Sequence, residues 1–205
     1  MQNAATIATV SDALIRLLAH DLRSPLGPIA LATSALEDDE TLRPDQRELA
    51  RMAGAHAARA ARLIDAVLTI ARGTRAPAPV RTDIHRLAEM AFDRYVALGG
   101  DGMAEGESCV LDVDVEMVRD ALVSLMECAG GEGGRVKVGV VRDGAGARIL
   151  IMGSDPEGCA AALTSTAPAD WRSAFALSAS AVMRAHGGIV ASIPDGVLVL
   201  LGGAG

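Results

Sequence analysis

From about Ser11 to Arg72, apolar positions recur three and four residues apart, the period of a helix face. The pattern breaks once, at "EDDETLRPDQ", where four acids are followed by Pro44, a residue tolerated in the first turn of a new helix. Beyond the break Leu49, Met52, His56, Leu63, Val67 and Ile70 keep the three-four alternation expected at the seam of a packed helix pair. A second helix from roughly Asp45 to Arg72 would be about 40 Å long. Two helices of that length joined by a short turn form a hairpin, which buries little by itself. A dimeric four-helix bundle completes it, so a homodimer is expected.

"GTRAPAPVRT", Gly73 to Thr82, reads as a linker, with glycine to stop the helix and prolines to stiffen the chain after it. The period then switches repeatedly. "TDIHRLAEMAFDRYVAL", "DVEMVRDALVSLMECA" and "DWRSAFALSASAVMRAHGG" are helical. "SCVLDV", "GRVKVGVVRD", "ARILIMG", "IVASI" and "GVLVLLG" are strands, with tight turns at "DGAG" and "PDG". Three helices and about five strands in this order predict an α/β sandwich with helices on one face of a mixed sheet. The expected fold class is therefore α+β, with a helical hairpin over residues 1–75 and the sandwich over residues 76–205. No internal repeat or low-complexity tract is present.

Half of the 205 residues are hydrophobic, but only 2 % are aromatic, so Ala, Leu, Val, Ile and Met must build the core. Alanine-rich faces favour helices in close contact. No apolar run reaches the roughly 18 residues that a bilayer span requires. The N-terminus lacks the layout of a signal peptide. Cys109, Cys128 and Cys159 are odd in number and lack metal-ligand spacing. A soluble, cytoplasmic protein is expected. Nine basic and nine acidic residues cancel up to Arg75, whereas the remainder carries ten basic and seventeen acidic residues and the whole net charge of -7. An acidic, aromatic-poor chain argues against nucleic acid as a partner, and nothing points to a membrane.

The first helix carries "HDLRSPL", His20 to Leu26. On a helix His20 shares its face with Arg23 and Ser24, while Asp21 sits about 100° round from it. Imidazole is a competent nucleophile near neutral pH. A guanidinium one turn on suits phosphate oxygens, and a hydroxyl suits an incoming group or water. Pro25 removes a helical hydrogen bond, leaves the carbonyl near Asp21 without its donor, and allows a bend just beyond the histidine. Alone, a helical histidine is more often structural, and His56, His85 and His186 are read that way.

"HDLRSPL" resembles the phosphoacceptor box of bacterial sensor histidine kinases, and the resemblance extends over the hairpin, about residues 10 to 72. It implies His20 as phosphoacceptor, Asp21 as its acidic neighbour, Arg23 steadying the transferring group and Ser24 shaping the site. Leu22, Leu26 and Ile29 become candidates for docking a partner, or for the bundle core. The second half resembles the ATP-binding domain of the same kinases, with departures. Ser124 and Cys128 stand where the family has two asparagines that hold magnesium and phosphates, and a thiol is a poor ligand for that hard cation. "GSDPEG" offers Ser154, or Asp155 after a shift of one, for the adenine-reading aspartate, with the glycines disturbed. "RSAFALSAS" has no glycine where a phosphate-approaching turn would stand.

The chain thus resembles bacterial histidine phosphotransferases built as shrunken kinases, a dimeric hairpin with a vestigial ATPase-like domain. The function this implies is a relay of a phosphoryl group through His20 between receiver-domain aspartates of response regulators or hybrid or sensor histidine kinases. No cofactor is expected on this chain, and magnesium is expected from the receiver. The alternatives are a non-catalytic pseudokinase that binds and inhibits a kinase or regulator, a phosphatase in which Ser24 places water, and an active kinase.

Overall fold

Two helices carry the chain to its first boundary: α1 (Gln2–Glu37) and α2 (Pro44–Arg72). In this computed structural model the chain divides into two compact units, one ending at Gly73 and one beginning at Thr74. The structure describes residues 2–131 and 133–202, with side chains from residue 20 onward except residue 72. Met1 and residues 203–205, assigned above to the first and second domains, lie outside the described residues.

The turn between the helices is tied locally. The Asp39 carboxylate accepts from the Thr41 amide at 2.9 Å and from its hydroxyl at 2.6 Å. The side-chain oxygen of Gln46 accepts from the Arg43 amide at 3.1 Å, satisfying a donor that the start of α2 leaves open. Between the helices the contact is made by small residues. Ala50, Ala57 and Ala66 are buried, as is Thr33, whose hydroxyl turns back onto the carbonyls of Ile29 and Ala30. Gly54 meets Thr33 so closely that a Cβ there would stand 2.9 Å from its Oγ1.

This corrects one expectation. Leu49, Met52, His56 and Val67 do not lie in the seam between α1 and α2; they are exposed, and Leu63 and Ile70 are half-buried. The three-four stripe is real, but alanine, glycine and threonine make the closest contacts of the hairpin's own seam, and Leu49, Met52 and Val67 lie outside it. The helix α1 runs on through both Pro25 and Pro28.

The second unit contains, in order, β1 (Val80–Asp83), α3 (Ile84–Ala97), β2 (Asp101–Gly106), β3 (Val110–Val113) and α4 (Val115–Gly130). After these come β4 (Arg135–Asp143), β5 (Gly146–Gly153), α5 (Pro156–Thr164), α6 (Trp171–Ala185), β6 (Ile189–Ile193) and β7 (Gly196–Leu201). A five-stranded sheet has the order β2-β4-β5-β7-β6, antiparallel except for the parallel β2–β4 pair, and β1 pairs with β3 in a separate two-stranded ribbon. The α/β sandwich is as expected, with three additions. The linker ends early, at β1. The edge strand β2, "DGMAEG", is too polar and glycine-rich to read as a strand, and ion pairs from Asp101 to Arg135 and from Glu105 to Lys137 tie it to β4. The helix α5 is the third addition.

Strand alternation sets the core. Val136, Val138 and Val140 of β4, Ile149 and Ile151 of β5, and Val197, Val199 and Leu201 of β7 are all buried, while Lys137, Val141 and Arg148 are exposed. Leu87, Ala88 and Ala91 of α3, Leu122, Leu125 and Met126 of α4, and Phe175, Ala179 and Met183 of α6 complete the interior. Burial of side chains the size of leucine stabilises by roughly 1.5–3 kcal/mol each.

All four helices of this unit begin on an aspartate. Asp83, Asp114, Asp155 and Asp170 accept from the amides of His85, Met117, Gly158 and Ser173, satisfying open N-terminal donors and meeting the positive end of each helix dipole. Asp114 also reaches outside its helix. Its carboxylate accepts from the Ala78 amide at 2.9 Å and pairs with the Arg75 guanidinium at 2.8 Å, while its own amide donates to Nε2 of His186. Burial alone would raise its pKa. The Ala78 and Met117 amides and Arg75 outweigh that, and hold it below the usual carboxylate range.

The single tyrosine, Tyr95, is buried and donates its hydroxyl to the Gly134 carbonyl at 2.7 Å. It fits only because Gly100 and Gly130 leave room: a Cβ on Gly130 would lie 2.2 Å from the tyrosine oxygen. Tyr95→Phe should therefore cost about 1 kcal/mol in urea unfolding of the second unit, by removing one of the two hydrogen bonds at the Gly134 carbonyl, which also accepts from the Asp101 amide. Gly130→Ala should cost more, since buried polar and aromatic atoms must move; equal stability of wild type and both variants would contradict this packing.

Candidate functional site

His20 lies on α1 with its side chain 80 % exposed, and its Nδ1 is 3.2 Å from Oδ1 of Asp21. A carboxylate on Nδ1 favours the tautomer with its proton on that nitrogen, which leaves the Nε2 lone pair free. One turn on, Arg23 sends Nη2 across the hairpin to Oδ1 of Asp65 on α2, forming an ion pair between partly exposed groups. Ser24 is exposed on the same turn. Pro25 and Pro28 lack the amides that would bond the carbonyls of Asp21 and Ser24, so this stretch of helix carries acceptors without intrahelical donors.

The structure thus brings His20 and Asp21 into direct contact and places Arg23 and Ser24 on the adjoining turn. Arg23 is already engaged with a carboxylate. The candidate docking residues divide: Leu22 is 58 % and Ile29 45 % exposed, whereas Leu26 is half-buried. Sequence reasoning missed Asp65. No local signal marks it, being 42 positions from Arg23; only the antiparallel register of the hairpin, with Thr33 beside Gly54, brings the two level.

Within the second unit, Ser124 is half-buried and its hydroxyl returns to the Asp120 carbonyl at 2.9 Å. Cys128 is fully buried, with its sulfur 3.4 Å from the Arg172 carbonyl. One hydroxyl and one buried thiol do not make the oxygen-rich set that magnesium requires. Among the described residues no group of three or more His, Cys, Asp or Glu side chains is placed to hold a metal ion. Ser154 donates to the Gly130 carbonyl at 2.9 Å and accepts from the Arg135 amide. Asp155 caps α5 and pairs with Arg172, and a Cβ on Gly158 would fall 2.0 Å from that guanidinium. The Gly158 amide, and after it Arg172, hold the Asp155 carboxyl below its usual range. Its neighbour Cys159 is pushed the other way, up to about 11, by burial and then by the Asp155 charge.

Residues 11–75 match the His Kinase A (phospho-acceptor) domain. That match covers the helical hairpin. Among solved structures, full-length ShkA in complex with AMPPNP is similar at 20 % identity and a TM-score of 0.54, over 92 % of this chain and 44 % of ShkA. The chain therefore spans less than half of that protein. The Acinetobacter baumannii histidine kinase AdeS is similar at 13 % identity and a TM-score of 0.53, over 91 % of this chain and 98 % of the AdeS chain. These likenesses show the fold, a helical hairpin followed by an ATPase-like sheet domain. No curated protein matches the sequence. Among the described residues, no helix is long and apolar enough to cross a membrane.

The Asp155–Arg172 pair gives an acid signature. A carboxyl whose folded pKa is depressed contributes stability that is present above its unfolded value, near 3.9, and lost as pH falls through the folded value. Asp155→Asn should thus be less stable than wild type at pH 7 in urea, with the gap closing below about pH 4. A gap unchanged down to pH 2 would mean that the charge is not what Asp155 contributes.

Proposed function

We propose that this chain is a histidine phosphotransferase, relaying a phosphoryl group through His20 between receiver-domain aspartates of response regulators or hybrid kinases, without ATP. The observation that carries the reading is the presentation of His20, exposed, with Nδ1 against Asp21 and Nε2 turned free, inside a segment matching a phospho-acceptor domain.

In the transfer the Nε2 lone pair attacks the phosphorus of the receiver's aspartyl phosphate. The bond from phosphorus to the aspartate oxygen breaks in line, and the receiver carboxylate leaves with the electron pair. The proton remains on Nδ1, so the ring's new positive charge lies beside the Asp21 carboxylate. Donation to a second receiver reverses these steps. Such chemistry depends on positioning and charge neutralisation more than on covalent help from the protein. Magnesium belongs to the receiver in this reading.

Three features support the ATP-free part of the reading. Cys128 is buried where a magnesium-holding amide would be needed, Asp155 is committed to Arg172, and the unit's excess acidity disfavours a polyphosphate. The exposed stripe of Leu22, Ile29, Leu49, Met52 and Val67 supports a homodimer, because a second hairpin would bury it as a four-helix bundle.

The test uses a receiver domain phosphorylated on its aspartate, in magnesium and without ATP. Acid-labile, base-stable label should pass to the wild type and not to His20→Ala. Incubation with labelled ATP alone should leave the wild type bare. Binding of a receiver without label transfer would replace the relay by a non-catalytic inhibitor, and direct labelling from ATP would make the chain a kinase.

A further inference from the structure

Arg23 and Asp65 form an ion pair that links α1 to α2 within a turn of His20. The pair is a poor stabiliser: its side chains are 44 % and 61 % exposed, and such surface pairs contribute little to folding. Its place is more informative than its strength. Arg23 is three residues from His20, on the same helix face, where the two side chains are neighbours. A free arginine at an exposed helical position samples many rotamers, and a group that must meet a transferring phosphoryl loses that freedom at the moment of reaction.

The contact with Asp65 is made through Nη2 alone, which leaves Nε and Nη1 of the same planar guanidinium for other acceptors. The Thr69 hydroxyl, donating to the Asp65 carbonyl at 2.9 Å, closes back onto the α2 backbone in the same turn. The carboxylate thus stands on a regular stretch of helix, itself fixed to α1 by the Ala50, Ala57 and Ala66 seam.

We infer that Asp65 is a positioning residue for phosphoryl transfer, holding Arg23 by one edge so that its remaining donors meet the phosphoryl oxygens on His20. This deepens the relay reading above and rests on it. Asp65 touches neither His20 nor the phosphoryl group; it acts through Arg23. The net charge balance also favours retention of the pair, since a phosphoryl group arriving beside Asp21 and Asp65 needs a fixed cation between the like charges.

The experiment is a double-mutant cycle on the full chain, following label transfer from a phosphorylated receiver over a range of receiver concentrations. In Asp65→Asn the saturating rate should fall about tenfold, the scale set by freezing one rotamer-rich side chain, while the half-saturating receiver concentration stays within about twofold. Arg23→Ala should fall at least as far, and the double variant no further than Arg23→Ala alone. Asp65→Glu should recover most of the rate, because the carboxylate is restored.

An Asp65→Asn rate equal to or above wild type would overturn the inference, as would a double variant slowed by the product of the two single effects. In either case label on the wild type leaves the relay reading standing. Absence of label on the wild type removes both.

Discussion

The close approach of two helices through alanine, glycine and threonine governs the first unit. Ala50, Ala57 and Ala66 have no bulk to hold α1 away, and Gly54 admits Thr33 at a distance no side chain would tolerate. Where the backbones are that near, a large side chain has no room between them, and Leu49, Met52 and Val67 stand exposed. The same nearness brings a guanidinium on α1 within reach of a carboxylate on α2. Apolar stripe and inter-helix ion pair are thus consequences of one packing choice.

The second unit obeys a different rule, in which charge is closed on itself. Aspartates that start helices also engage arginines, a hydroxyl or backbone amides from elsewhere: Asp155 with Arg172, Asp114 with Arg75 and the Ala78 amide, Asp83 with the Ser108 hydroxyl and the Cys109 amide. Carboxylates committed in this way serve the fold.

What the sequence disclosed depended on how local each feature is. The box around His20 was legible because its residues fall within two turns of one helix, where spacing alone decides which share a face. The three-four stripe on α2 was legible as a period, but a period does not say which neighbour covers it; alanines at Ala50, Ala57 and Ala66 were the better guide to the hairpin seam. Asp65 was invisible, since its meaning needs the register of two helices. The helix α5 had a usable signal in "SDPE", an aspartate cap with proline at the first helical position. The strand β2 had none, because it pairs with β4 through its backbone while its side chains are polar or absent, and the ion pairs to Arg135 and Lys137 appear only once that register is known.

The grip of Asp114 on Ala78 and Arg75 bears on where the chain can be cut. Counting strands alone, the second unit looks whole from Val80 onward. A piece begun there would fold a carboxylate into its interior having left behind a backbone amide and a guanidinium that satisfy it, and a buried anion short of donors is among the costlier defects a small fold can carry. The natural seam lies a few residues earlier, at Gly73, whose backbone takes a φ of 78° that few other residues would adopt. Modularity in this chain is thus set by where an acid finds its partners, and the apparent spacer is in part an organ of the body it precedes.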